Sequence, residues 1–231
     1  MTESPTVAAP ALRREGDVFL LDLGEGENRV NPDFLAAVGA ALDEVEAAPA
    51  PRALVTVARG KYWSNGLDLE WLGQHHERVQ EVVDGLHALL ARILGLGVPT
   101  AAAVQGHAFA GGALLAIAHD ELVMRADRGY LCVPEVDLRL PFTDGMTALL
   151  AARLSPRTAH EAMTTGRRYG GEQALAAGLA TAVASEDEVV PQAVALAAER
   201  AGKDPATLAT IKQRLYRHAL AELTKPQPLA G

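Results

Sequence analysis

The chain has 231 residues, 49% hydrophobic and 22% charged, enough to bury a substantial core in one large domain with at most a small appendage. Its 21 Lys and Arg stand against 29 Asp and Glu, a formal charge of -8, and no basic block could neutralise a row of phosphates, which argues against nucleic acid as a partner. A single cysteine, Cys132, excludes an intramolecular disulfide, gives no zinc signature, and fits a reducing, cytoplasmic compartment.

In chain order, the opening MTESPTVAAPALRREGD lacks the basic-then-apolar organisation of a secretory signal, and the closing KPQPLAG is not a peroxisomal address. Val18 to Leu23 is a short apolar run before Gly24 and Gly26, read as a buried strand. Asn31 offers a cap, Pro32 suits the first helical position, and Leu35, Val38, Leu42 and Val45 recur at helical spacing up to about Pro49. Ala53 to Ala58 is a second buried strand, followed by a polar loop from Arg59 to Gly66. A long helical stripe then runs through Val79, Val82, Val83, Leu86, Leu89, Leu90, Ile93 and Leu94 and stops at Gly95, Gly97 and Pro99.

Val98 to Ala118 has the length of a membrane span, but Pro99, Gln105, His107 and the glycines at 106, 111 and 112 interrupt it. It reads better as a strand over Thr100 to Val104, a turn, and a short helix opened by Gly111 and Gly112. Leu122 to Met124 and Tyr130 to Val133 are further strands. Beyond about Asp144 the pattern turns helical, with one short strand candidate at Leu179 to Ala184 and a last helix from Asp204 and Pro205 along Leu208, Ile211 and Leu215. The expected division is an α/β core over residues 1–144 and a helical region over 145–231, packed on the core or on another subunit.

Two loops carry unusual chemistry for an α/β protein: SNGLD at Ser64 to Asp68, and QGHAFAGGA at Gln105 to Ala113. In both, backbone N–H groups can face a ligand, and a helix opening at the glycine pair adds its positive end, so an anion or oxyanion fits there. The same glycines can equally serve close strand–helix packing. The spacing is neither a dinucleotide fingerprint nor a phosphate loop, and GxSxG is absent. Glu135, in the apolar stretch YLCVPEVD, is the leading acid. Apolar neighbours would raise its pKa toward that of a useful general base. An exposed loop glutamate is the alternative, with Asp137 as the rival acid.

SNGLDL, QGHAFAGGA with the following LLAIAHD, and PEVDL resemble the crotonase superfamily, also called enoyl-CoA hydratase/isomerase. ENRVNPDFL near the start and TTGRRY with ALAAGLA near Gly166 to Ala180 extend the resemblance over nearly the whole chain. The resemblance implies a ClpP/crotonase-like α/β spiral of strand–strand–helix units, a helical C-terminal region, a homotrimer or hexamer, and acyl-CoA thioester substrates. It implies no metal and no nicotinamide; coenzyme A enters only as part of the substrate. By motif position, the two amides that hold the thioester oxygen fall on Asn65 and Gly111.

Hydratases of the family use two glutamates to position water. Leu114 occupies the place of the first here, and Glu135 that of the second. One acid suffices for moving a double bond, and LPFTDGM from Leu140 to Met146 resembles the corresponding segment of peroxisomal-type enoyl-CoA isomerases, although Arg139 replaces the glycine usual there. The resemblance therefore implies an isomerase with Glu135 as proton shuttle and Trp63, Leu67, His107, Phe109, Leu114 and Phe142 lining the acyl pocket. Hydration, thioester hydrolysis, and acyl-CoA binding without turnover stand as alternatives. His75, His76 and His87 are expected on or beside a polar helix face rather than as metal ligands.

Overall fold

Residues 10–226 are described in a computed structural model of the chain; most of the two terminal segments read for targeting signals lies outside them. β1 (Ala11–Glu15) and β2 (Val18–Asp22) pair antiparallel across a turn at Gly16, and α1 (Pro32–Ala47) follows. Asn31 caps α1 by accepting from Phe34 N at 3.0 Å, as its position before Pro32 leads one to expect.

The chain then repeats one unit three times. β3 (Ala53–Val57) and β4 (Tyr62–Ser64) lead through α2 (Leu69–Gln74) and a single 3-10 turn to α3 (Val79–Gly95). β5 (Thr100–Val104), β6 (His107–Phe109) and α4 (Gly111–Ala118) make the second unit. β7 (Glu121–Arg125), β8 (Leu131–Cys132) and α5 (Glu135–Leu138) make the third. After them come α6 (Asp144–Arg153), α7 (Pro156–Thr165), α8 (Gly171–Ala176), β9 (Ala182–Ala184), α9 (Val189–Ala198), α10 (Pro205–Leu215) and α11 (Arg217–Thr224).

Each unit sends its first strand to a large sheet of order β1-β2-β3-β5-β7-β9 and its second to a small parallel sheet of order β4-β6-β8. This is the expected spiral of strand–strand–helix units. From β2 onward the large sheet is parallel, and β9 extends it beyond β7, so a strand from the C-terminal half completes the sheet. Both faces are covered, which is why its strands read as continuous apolar runs. On one face Leu54, Ala102 and Met124 join a large core with Val38, Leu42, Leu86, Leu90, Leu114 and Leu149 from α1, α3, α4 and α6. On the other, Val55, Ala101, Ala103 and Val123 meet Val189, Ala193 and Ala197 of α9, where alanines let helix and sheet approach closely.

The apolar Val98 to Ala118 stretch is divided among β5, β6 and α4, and no helix among the described residues is long and apolar enough to cross a membrane. Several boundaries differ from expectation. The loop read from Arg59 to Gly66 contains β4, the strand read from Tyr130 to Val133 shortens to β8, and β1, α2 and α11 were not anticipated. The expected apolar stripe of α10 is rotated outward: Ile211 and Leu215 are 55% and 67% exposed, whereas Lys212 is buried. Lys212 turns inward because its Nζ donates to Asp120 Oδ2 at 2.7 Å and Val98 O at 3.2 Å.

Candidate active site

β4, β6 and β8 are neighbouring parallel strands, so the segments leaving their C-terminal ends gather at one edge of the small sheet. Those segments are Asn65 to Asp68, Ala110 to Gly112, and Val133 to Glu135. Ligands in open parallel sheets bind at such ends because the loops diverge there. A hydrogen bond from Ala110 N to Cys132 O, 3.0 Å, ties the second segment to the third.

The first two segments touch. Gly66 has φ +75°, and a methyl group on it would lie 2.7 Å from Gly111 N; a methyl on Gly111 would lie 3.8 Å from Leu67 N. Gly112 is pressed against β4 so closely that a Cβ would lie 2.4 Å from Ser64 O. The glycine pair thus serves both alternatives posed by the sequence, tight packing and a ligand-facing backbone. Gly111 opens α4, where an N–H has no intrahelical acceptor, and Ala110 before it is held at φ 48°, ψ -124°, a strained conformation that sets the direction of that N–H.

The partner donor is not the one expected. Asn65 N donates to Glu27 O at 2.9 Å and is therefore committed within the fold. Leu67 sits in an isolated parallel bridge with Val30: Val30 N reaches Gly66 O at 2.7 Å and Asp68 N reaches Val30 O at 3.0 Å. That pattern turns the Leu67 N–H away from Val30, and among the described residues it meets no acceptor. Leu67 and Gly111 are the pair of adjacent free amides, an arrangement able to bind a developing oxyanion.

Glu135 is the first residue of α5 and is 8% exposed, while Asp137, the rival acid, is exposed and faces the turn at Gly166. Burial pushes the Glu135 carboxyl up to about 7, opposed only by a hydrogen bond from its own backbone. Its Oε2 has no hydrogen-bond partner among the described residues. A carboxylate buried without a cationic partner near neutral pKa is suited to accept and return a proton. Cys132 is buried nearby, donates from Sγ to Gly166 O at 3.2 Å, and is pushed up to about 11 by burial, which removes it as a nucleophile.

The other expected pocket residues separate. Leu67 and Phe142 are half-buried against the main core. Leu114 is fully enclosed within α4. Trp63 is wholly buried, edge-on to His119 with centroids 6.3 Å apart, and so is an interior packing residue rather than an open wall. His107 and Phe109 stack at 5.2 Å on the face of β6 opposite buried Ala108, in an aromatic row with Tyr62 and Tyr130. None of these ring contacts involves Leu67 or Glu135. His87 is also corrected: it is buried on the inner face of α3 and shares a 2.9 Å hydrogen bond between Nε2 and Thr143 Oγ1, because Thr143 caps α6 beside it. Among the described residues no three His, Cys, Asp or Glu side chains cluster as a metal site.

The sequence reading placed the free amide on Asn65 rather than on Leu67. It used ENRVNPDFL for the resemblance and for the Asn31 cap, but not for the contacts through which Glu27–Asn31 holds the loop.

A family model described as enoyl-CoA hydratase/isomerase matches residues 17–230. The chain is 38% identical over 216 residues to enoyl-CoA delta isomerase 3 of Arabidopsis thaliana, covering 89% of this chain and 91% of that protein. Among solved structures it is similar to a Mycobacterium tuberculosis protein described in one structure as an enoyl-CoA isomerase, with TM-score 0.86, 26% identity and 93% of each chain covered, and in another as a probable enoyl-CoA hydratase. The human mitochondrial delta3-delta2-enoyl-CoA isomerase superposes with TM-score 0.87 at 19% identity over 94% of this chain and 86% of that one, a likeness of fold.

Proposed function

Because the chain belongs to the enoyl-CoA hydratase/isomerase family, we propose that it is an enoyl-CoA isomerase that shifts the double bond of a 3-enoyl-CoA to position 2. The Glu135 carboxylate takes a proton from carbon 2. The electron pair moves onto the thioester oxygen, and the resulting dienolate is held by the N–H groups of Leu67 and Gly111. The Glu135 carboxyl then returns the proton to carbon 4, leaving the double bond between carbons 2 and 3. Atoms and charge balance with a single proton carrier, so the step as written draws on no metal or nicotinamide.

The observation that carries this reading is the isolation of Glu135: a buried carboxylate with a free oxygen and a pKa near 7. Leu114 stands where the resemblance places a second, water-orienting acid of hydratases, and it is enclosed in the core. The delta isomerase names of relatives 32% to 38% identical support the same choice. A homotrimer or hexamer belongs to this reading and is supported by the exposed Ile211 and Leu215 on α10.

The test is to incubate the protein with a 3-enoyl-CoA in heavy water, following absorbance and mass. Conjugated 2-enoyl-CoA as the product is the expected result. Accumulation of 3-hydroxyacyl-CoA would replace isomerisation with hydration, and intact substrate without deuterium at carbon 2 would replace it with a binding role.

A further inference from the structure

The segment from Glu27 to Asn31 contributes no group to the proposed chemistry, yet it runs alongside the whole loop that presents the Leu67 amide. Asn65 N donates to Glu27 O at 2.9 Å, Ser64 Oγ donates to Asn28 O at 2.8 Å, and Asn28 Nδ2 donates to Trp63 O at 3.0 Å. Beyond Asn65, Val30 holds both peptide units that flank Leu67, its N donating to Gly66 O at 2.7 Å and its O accepting from Asp68 N at 3.0 Å, with Gly66 at φ +75°. The direction of the Leu67 N–H therefore follows how the Val30–Asn31 backbone is held against Asp68.

Asn31 supplies a further point of attachment. Its Oδ1 accepts from Phe34 N at 3.0 Å and caps α1, while its Nδ2 donates to Asp68 Oδ2 at 3.2 Å. Asp68 in turn caps α2, accepting from Trp71 N on Oδ1 at 3.2 Å, with Arg29 Nη1 at 3.5 Å from the same oxygen. The caps of two helices are thus bonded to each other across the residue next to Leu67. The choice of residue is telling. Serine, threonine or aspartate would cap α1 as well as asparagine does, but a serine or threonine hydroxyl ends one bond short of the amide nitrogen that reaches Asp68, and an aspartate carboxylate has no proton to donate. The donor meets a mostly buried side-chain carboxylate that also faces Arg29, the setting of a charge-assisted bond.

We propose that Asn31 is a positioning residue for the reaction: by bonding the α1 cap to Asp68, it fixes the angle at which the Leu67 N–H meets the thioester oxygen. This rests on the oxyanion role given above to Leu67. It acts through Leu67 and makes no contact with substrate.

The test uses Asn31→Ser, Asn31→Asp, Asp68→Asn, and Asn31→Asp combined with Asp68→Asn. Asn31→Ser and Asn31→Asp keep an oxygen for Phe34 N and lose the link. The combined variant restores the link with donor and acceptor exchanged, and keeps an oxygen for both helix caps. For Asn31→Asp, kcat with a 3-enoyl-CoA falls roughly ten- to a hundredfold, less than deletion of an oxyanion donor, with KM within about twofold. The combined variant recovers kcat to within about threefold of wild type, as expected when a coupled pair is exchanged rather than broken. Should Asn31→Asp fail to fold, Asn31→Ser gives the same comparison.

A second readout is affinity for a 3-oxoacyl-CoA, whose enolate mimics the intermediate, against affinity for a saturated acyl-CoA. The link-breaking variants weaken the former and spare the latter. Single variants that match wild type in both readouts, or a loss of kcat and enolate affinity that the combined variant does not recover, overturn the proposal. Absence of isomerase activity in the wild type would instead remove the parent reading, while the enolate affinities would still report on the Leu67 amide.

Discussion

Glu135 combines a proposed chemical role with a measurable cost. A carboxyl moved by burial from its ordinary 4.5 to about 7 costs about 3 kcal/mol once fully ionised. The folded state keeps its proton while the unfolded chain has lost it, so this contribution to stability is complete below about pH 4.5 and is lost as pH rises through about 7. Glu135→Gln is therefore expected to lose at least about a thousandfold in isomerisation, to retain acyl-CoA binding, and to be more stable than wild type at pH 8. Denaturant midpoints should converge near pH 4.5, and a variant no more stable at pH 8 would contradict the burial argument. In wild type, kcat should rise with pH through about 7 as the carboxylate forms. The burial of Glu135 was legible because apolar residues crowd its stretch of sequence. The Leu67 donor was not, since a backbone N–H has no side-chain signature and its freedom depends on which neighbouring carbonyls are occupied, Glu27 O by Asn65 in this case.

At the level of elements, the loop after β4 is the most sensitive part of the site. Gly66→Ala would put a Cβ 2.7 Å from Gly111 N and 3.1 Å from Ala110 Cβ at a φ of +75°. The expected result is a loss of about 10²- to 10³-fold in kcat, as for a lost oxyanion donor, together with about 1–3 kcal/mol of destabilisation. Steady-state kinetics and thermal unfolding measure the two separately. Arg139 ends α5 in the left-handed region, φ 58°, so Arg139→Gly should relieve strain of about 1 kcal/mol and raise the melting temperature. Lys212→Ala should cost about 3–5 kcal/mol, since it leaves Asp120 without its ammonium partner beneath α10. Long elements such as α1 and α3 were legible because ten or more residues carry a clear period. β4 and β6 were obscured because three residues carry none, β8 was found but read too long, and the facing of α10 was misread because a buried ion pair overrode apolar spacing.

For the molecule as a whole, two buried groups titrate in opposition. His119 lies between Thr56 Oγ1 at 2.8 Å and Leu115 O at 2.8 Å, and burial holds it down at about 4. The unfolded chain takes up that proton near 6.5, so the stability His119 contributes is lost as pH falls from about 6.5 to about 4. Glu135 contributes the opposite slope from about pH 4.5 to about 7. Removing it in Glu135→Gln should therefore steepen the loss of stability on acidification, measured as the urea midpoint from pH 7 down to 4.5. The strand–strand–helix repeat was legible through the family resemblance, while the return of β9 to the large sheet depends on pairing between residues distant in sequence, Met124 with Val183 among them.

That return governs how the protein can be made. One face of the large sheet, Val18, Leu20, Val55, Ala101 and Val123, is covered by Val189, Ala193, Ala197 and Ala201. A ribosome therefore releases the sheet-forming residues well before the helix that shields them. The growing chain must hold a bare apolar surface and an unpaired β7 edge until the last fifth emerges, which makes nascent-chain chaperones and translation pace determinants of yield.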